Sequence, residues 1–132
     1  MKAILLTILI FCLITRAFAQ NKQSPSERRE MVKLLCQKWV LTTMSAQGKI
    51  ANVPASKAMY VTYKPDGNFT DSSARFSVSH GTWTYDSETQ ILYTTEKVGK
   101  AKAKVVKLTP TELTVEMEYP TVTMAATYKQ AD

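Results

Sequence analysis

Residues 112–128 read ELTVEMEYPTVTMAATY, and this stretch decides the fold. Leu113, Val115 and Met117 alternate with Glu112, Thr114, Glu116 and Glu118, a period of two that belongs to a strand with one oily and one wet face. Pro120 marks a turn, after which Val122, Met124, Ala126 and Tyr128 fall together on one face. The link between the two runs is too short for a crossover, so they must pair antiparallel.

Working outward, the same period recurs upstream. Trp39, Leu41 and Thr43 alternate with Lys38, Val40 and Thr42. A loop over Gln47 to Ser56, with Gly48 and Pro54, separates them from Met59, Val61 and Tyr63 on one face of the next run. Lys64-Pro65-Asp66-Gly67 is a turn by composition, because Pro presets one dihedral and Gly accepts a positive one. A short return strand carries Phe69. Ala74 to Ser79 then sets Phe76 with Val78, and Gly81 to Tyr85 sets Trp83 with Tyr85. Gln90 to Glu96 and Ala101 to Leu108 complete the pattern before Thr109-Pro110-Thr111 breaks it. Ahead of the strands, Ser24-Pro25-Ser26-Glu27 has the cap, the first-turn proline and the acid of a capping box. It predicts a helix from Pro25 to about Leu35, with Met31, Leu34 and Leu35 as its apolar stripe.

About eight short strands between residues 37 and 128, each with one apolar face, cannot remain a single open sheet without wetting that face. Short sequential links favour closure as an all-β, eight-stranded antiparallel up-and-down barrel, with the short N-terminal helix as a lid on one end. The inward candidates are Trp39, Met59, Val61, Tyr63, Phe69, Phe76, Trp83, Tyr85, Leu113, Met117 and Met124.

The runs 35–41 (LCQKWVL), 60–69 (YVTYKPDGNF), 81–86 (GTWTYD) and 107–113 (KLTPTEL) come in an order and spacing that resemble the small lipocalin-like domain proteins of Bacteroidetes-type bacteria. The resemblance spans about Leu34 to Tyr128. It implies a lipocalin-like barrel in which Trp39 closes one end, and it implies architecture more than activity. In the Gly-x-Trp element of the first strand, Gln37 stands where glycine would be, although Trp39 is in place.

The first residues read as a signal peptide rather than as part of the fold. Met1-Lys2 gives a positive start, Ala3 to Ile14 an apolar run, and Ala17-Phe18-Ala19 the small residues before a cleavage between Ala19 and Gln20. The expectation is residues 1–19 as leader and 20–132 as one exported domain, periplasmic or secreted, with no stable membrane span after cleavage. Losing Lys2 and Arg16 lowers the net charge from +6 to +4. Cys36 is then the one cysteine left, so no internal disulfide is expected, and it reads as a small half-buried hydrophobe.

Lys97, Lys100, Lys102, Lys104 and Lys107 cluster, but aromatics do not interleave with them. No nucleic acid is expected; Lys100, Lys102 and Lys104 alternate with Ala101, Ala103 and Val105 as a solvated strand face does. His80 is the lone histidine and is expected at a turn, with no partners for a metal. The serines lack a base and a nucleophile-elbow pattern, and the glutamates of 112–118 face outward, so no enzyme, cofactor or metal is expected.

Two functions remain open. One is an exported binding protein carrying a small apolar or amphipathic ligand, with Met59, Tyr63, Arg75, Phe76, Trp83, Tyr85 and Met124 as candidate contacts; Arg75 would face inward only if a bulge near Ser72-Ser73 shifts the register. The other is an envelope protein interaction module or inhibitor with a filled barrel, using the Lys97 to Lys107 hairpin or the Gln47 to Ser56 loop. At the open end of the barrel, a pocket and packed side chains fit the sequence equally well.

Overall fold

The computed structural model describes residues 24–73 and 76–132. The leader expected at residues 1–19 lies outside the described residues, as does Arg75. Helix α1 spans Pro25–Leu35. The Ser24 side chain accepts from the Glu27 amide while Glu27 Oε2 accepts from the Ser24 amide at 2.9 Å, a complete capping box. The helix packs Val32 and Leu35 against the core, where the sequence pointed to Met31, Leu34 and Leu35. Met31 and Leu34 are only half-buried, because Val32 shares the narrow stripe with Leu35 at three-residue spacing.

Nine strands follow: β1 Lys38–Ala46, β2 Lys49–Asn52, β3 Met59–Tyr63, β4 Asn68–Ser73, β5 Phe76–Asp86, β6 Ile91–Glu96, β7 Gly99–Leu108, β8 Glu112–Tyr119 and β9 Val122–Gln130. All pairings are antiparallel. From β3 to β9 each strand pairs with the next, and β1 pairs with β9 to close the ring. β2 and β3 share one side of β1: β3 lies against Lys38–Val40 and β2 against Thr43–Ala46. They act as one strand broken by the 3-10 turn Ala55–Lys57, so the closed barrel is eight-stranded.

Two local expectations change. Part of the loop expected over Gln47 to Ser56 is the strand β2, whose four residues are all exposed and carry no burial pattern to read. From Phe76 onward the two expected runs are one continuous strand, β5, which also places His80 exposed inside a strand instead of at a turn or strand end. Gly81 had looked like a break. It is glycine because a Cβ there would lie nearer than 3.0 Å to the Thr95 carbonyl oxygen and the Phe69 ring.

Bulges explain where simple alternation fails. The β1–β9 register shifts between Leu41 and Thr43, so Met44 rather than Thr43 packs against the core. Thr42, the extra residue, donates its hydroxyl to the Thr127 carbonyl at 3.0 Å. A second shift falls between Asp71 and Ser73, and a third between Val105 and Lys107.

The strands run between two unlike ends. At the end nearest α1, Trp39 is fully buried and its indole N–H donates to the Leu35 carbonyl at 3.1 Å, tying the first strand to the helix. Trp83 donates to the Lys64 carbonyl at 2.9 Å, tying β5 to the turn whose Gly67 has φ +86°. Leu35, Trp39, Leu41, Trp83 and Leu113 fill this half. The opposite end carries the tips of the β1–β2, β6–β7 and β8–β9 connections.

Candidate functional site

The inner wall changes character along its length. Above the packed half, the inward positions of three strands are small or polar: Asp71 on β4, Thr94 and Glu96 on β6, Ala101 and Ala103 on β7. Small side chains leave space that large neighbours do not fill, and the result is a cavity of about 460 Å³ opening at the end away from α1. That volume falls within the roughly 300–1,000 Å³ range of small-molecule sites. Its floor is Val61, Tyr63, Phe69, Leu92 and Val115, all buried, with Tyr128 on β9 beside them. Met59, Met117 and Tyr119 stand toward the mouth, Met59 being 43% exposed.

The wall is also parted on one side. β7 pairs with β8 only over Lys104–Leu108 against Leu113–Glu116. Beyond that, residues 99–103 bond to β6 and Met117–Tyr119 to β9, so the two hairpins diverge at the open end. Through this gap Lys100, Lys102 and Glu118, which alternation places on the outer face, reach the rim of the cavity. Lys100, Lys102 and Lys104 are otherwise exposed, as the sequence pattern requires.

Electrostatically the interior leans acidic. Burial pushes the Asp71 carboxyl above the usual carboxylate range, and the nearby Glu96 pushes it further in the same direction. Burial raises the Tyr128 hydroxyl to about 12, with Asp71 adding to the shift. Tyr63 is raised as well, by burial first and then by Tyr128 and Asp71. Asp71, Glu96, Tyr63 and Tyr128 all line this one cavity. Tyr63 also packs edge-on against Trp83, ring centroids 5.5 Å apart, and lies 6.0 Å from Phe69, so it sits at the boundary between packed and open halves.

Of the candidate contacts expected from sequence, Met59 and Tyr63 line the cavity. Trp83 and Tyr85 do not; both belong to the packed half, where Trp83 is buried and Tyr85 packs against the core. Met124 pairs with Met117 but is not part of the lining. Val78, grouped with Phe76 in the sequence reading, is 53% exposed on the outer wall. Phe76 opens β5, and its side chain lies outside what is described, as does Arg75. Asp71, Glu96 and Tyr128 were not singled out in sequence. Asp71 and Glu96 do carry a signal there, each an acid at an inward parity position two residues from a core hydrophobe or a neighbour of one.

Outside the cavity, Glu112 bridges Lys107 at 2.8 Å and Lys129, stapling β7, β8 and β9 at the packed end. Cys36 caps α1 half-buried, with its thiol pushed up by burial. Among the described residues no cluster of histidine, cysteine and carboxylate side chains is arranged to hold a metal. Nor is any described helix long and apolar enough to cross a membrane.

A family model described as "Lipocalin-like domain" matches residues 35–115. Among solved structures, a lipocalin-like protein from Bacteroides uniformis superposes with a TM-score of 0.59 at 14% identity, covering 74% of this chain and 99% of that one. At that identity the likeness speaks to the fold alone. No curated protein matches the chain.

Proposed function

This chain belongs to the lipocalin-like domain family, and from that premise we propose that it is an exported, non-catalytic binding protein that carries a small amphipathic molecule in the open end of its barrel. The observation that carries the reading is the cavity of about 460 Å³, with an apolar floor and hydroxyl and carboxyl groups on its walls. Apolar area removed from water would supply affinity at roughly 25 cal/mol per Å², and the few polar groups would set orientation. Export rests on the leader pattern, Lys2, the apolar run to Ile14 and Ala17-Phe18-Ala19.

Native mass spectrometry of protein purified from its own cell envelope tests the proposal. One small-molecule adduct per chain is expected, lost when Ala103→Phe fills the cavity from its wall. A bare chain that also takes up no apolar probe would remove the carrier role. A stoichiometric protein partner in its place would transfer the role to an envelope interaction module, which the parted, lysine-bearing edge of β7 supports.

A further inference from the structure

The cavity has a direction of charge, and that direction names a class of ligand. Strand alternation and register put Asp71 and Glu96 on the inner wall, Glu96 separated from Phe69 in the register only by the side-chain-free Gly81. Among the described residues no lysine or arginine occupies an inner-face position: Lys100 and Lys102 reach the rim from the outer face, through the gap between β7 and β8. Tyr63, which is 9% exposed, lines the same cavity. A buried hydroxyl at a cavity wall can accept from a ligand donor as readily as donate. The rings of Tyr63, Phe69 and Tyr128 border the same space, and an aromatic face is a favourable neighbour for a cation.

Resting on the carrier reading above, we propose that the preferred ligand is an amphipathic organic cation: an ammonium head directed at Asp71 and Glu96, with its apolar body laid over Leu92, Val115 and Met117. A carboxylate head in the same place would face two acids across a low-dielectric cavity, where like charges repel far more than in water. A cationic head meets charge-assisted acceptors and aromatic faces instead. The rim lysines pull the other way, toward an anionic head held at the mouth. The two arrangements therefore make opposite rankings of the same chain.

Isothermal titration of the full mature chain with decylammonium, decanol and decanoate, each below its micelle concentration, decides between them. The expected order is decylammonium tightest, then decanol, then decanoate, with the cation favoured over the alcohol by about tenfold, as one charge-assisted contact supplies. The double variant Asp71→Asn, Glu96→Gln should abolish the tenfold preference for decylammonium over decanol, with near-UV circular dichroism reporting that the barrel is intact. Decanoate binding as tightly as decylammonium, or tighter, overturns the head-group assignment and leaves the carrier reading standing. Failure of all three probes overturns both.

Discussion

The two halves of this barrel are built from the same strands in the same alternation, yet one is solid and the other hollow. At the helix end the inward positions are Trp39, Leu41, Trp83 and Leu113, with Leu35 plugging the base. At the other end, four to six residues along those strands or their neighbours, the inward positions are Asp71, Thr94, Glu96, Ala101 and Ala103. Binary pattern fixes which way a side chain points, and side-chain volume fixes whether anything is left over when it gets there. The packed half therefore holds the fold, and the hollow half is free to hold something else.

The largest expected effect separates the halves by stability. Trp39 is fully buried and its indole is bonded to the helix, so Trp39→Ala should cost about 3–5 kcal/mol. Met59→Ala at the mouth, where the side chain is already 43% exposed, should cost about 1 kcal/mol or less. Urea unfolding of both variants measures the contrast. Equal losses would mean that the mouth carries as much of the fold as the base, and the division into halves would be wrong.

A smaller effect lies at the level where solid gives way to hollow. Phe69 covers Gly81, and Gly81→Ala would press a methyl group against that ring and the Thr95 carbonyl. Overpacking of this kind costs about 1–3 kcal/mol. The Phe69 ring is the side chain able to move, and it lines the cavity, so its displacement takes up space there. Gly81→Ala should therefore lower both the unfolding midpoint and the uptake of decanol. A variant with lowered stability and unaltered decanol affinity would place the Phe69 ring outside the binding space.

Most of the frame was legible in the sequence, for a physical reason. Alternation over residues 112–128 and its repeats, together with the capping box at Ser24 to Glu27, are local signals, and local signals set strand, helix and hairpin. The closure by β1 against β9 followed because eight half-apolar strands must curl into a barrel or fold over as a sandwich, and short sequential links favour the barrel. β2 was missed because all of its residues are exposed, and β5 was split because Gly81 reads as punctuation until Phe69 is seen lying over it. The site was less legible. Of the aromatic residues expected to mark it, Tyr63 lines the cavity, whereas Trp83 and Tyr85 fill the packed end. What marks the cavity is small residues and inward acids, and a sequence shows a small residue without showing the space beside it. Thr43 and Met44 exchange roles across a single bulge for the same kind of reason, since nothing in residues 38–46 announces the extra residue.

The smallest effect runs against the usual direction of mutation and bears on why the hollow half keeps an acid. Asp71 has its carboxyl pushed above the ordinary range by burial and by Glu96. A carboxyl with a raised folded value holds its proton better folded than unfolded, so its contribution favours folding at low pH and is lost as pH rises through the folded value. At neutral pH the burial of the Asp71 carboxyl therefore weighs against the empty protein. Asp71→Asn removes that burden and should raise the melting temperature at pH 7. The gain should vanish near pH 3, below the unfolded aspartate value of about 3.9, where both forms are uncharged. Thermal melts of the two proteins at pH 3 and pH 7 measure it. A gain of the same size at both would trace the effect to packing instead of charge. A loss at pH 7 would mean that Asp71 is stabilised by its surroundings in the empty protein, and the acid would then belong with the packed half. If the gain appears only at pH 7, the acid is a stability cost kept in the hollow half, which is what residues retained for binding typically impose.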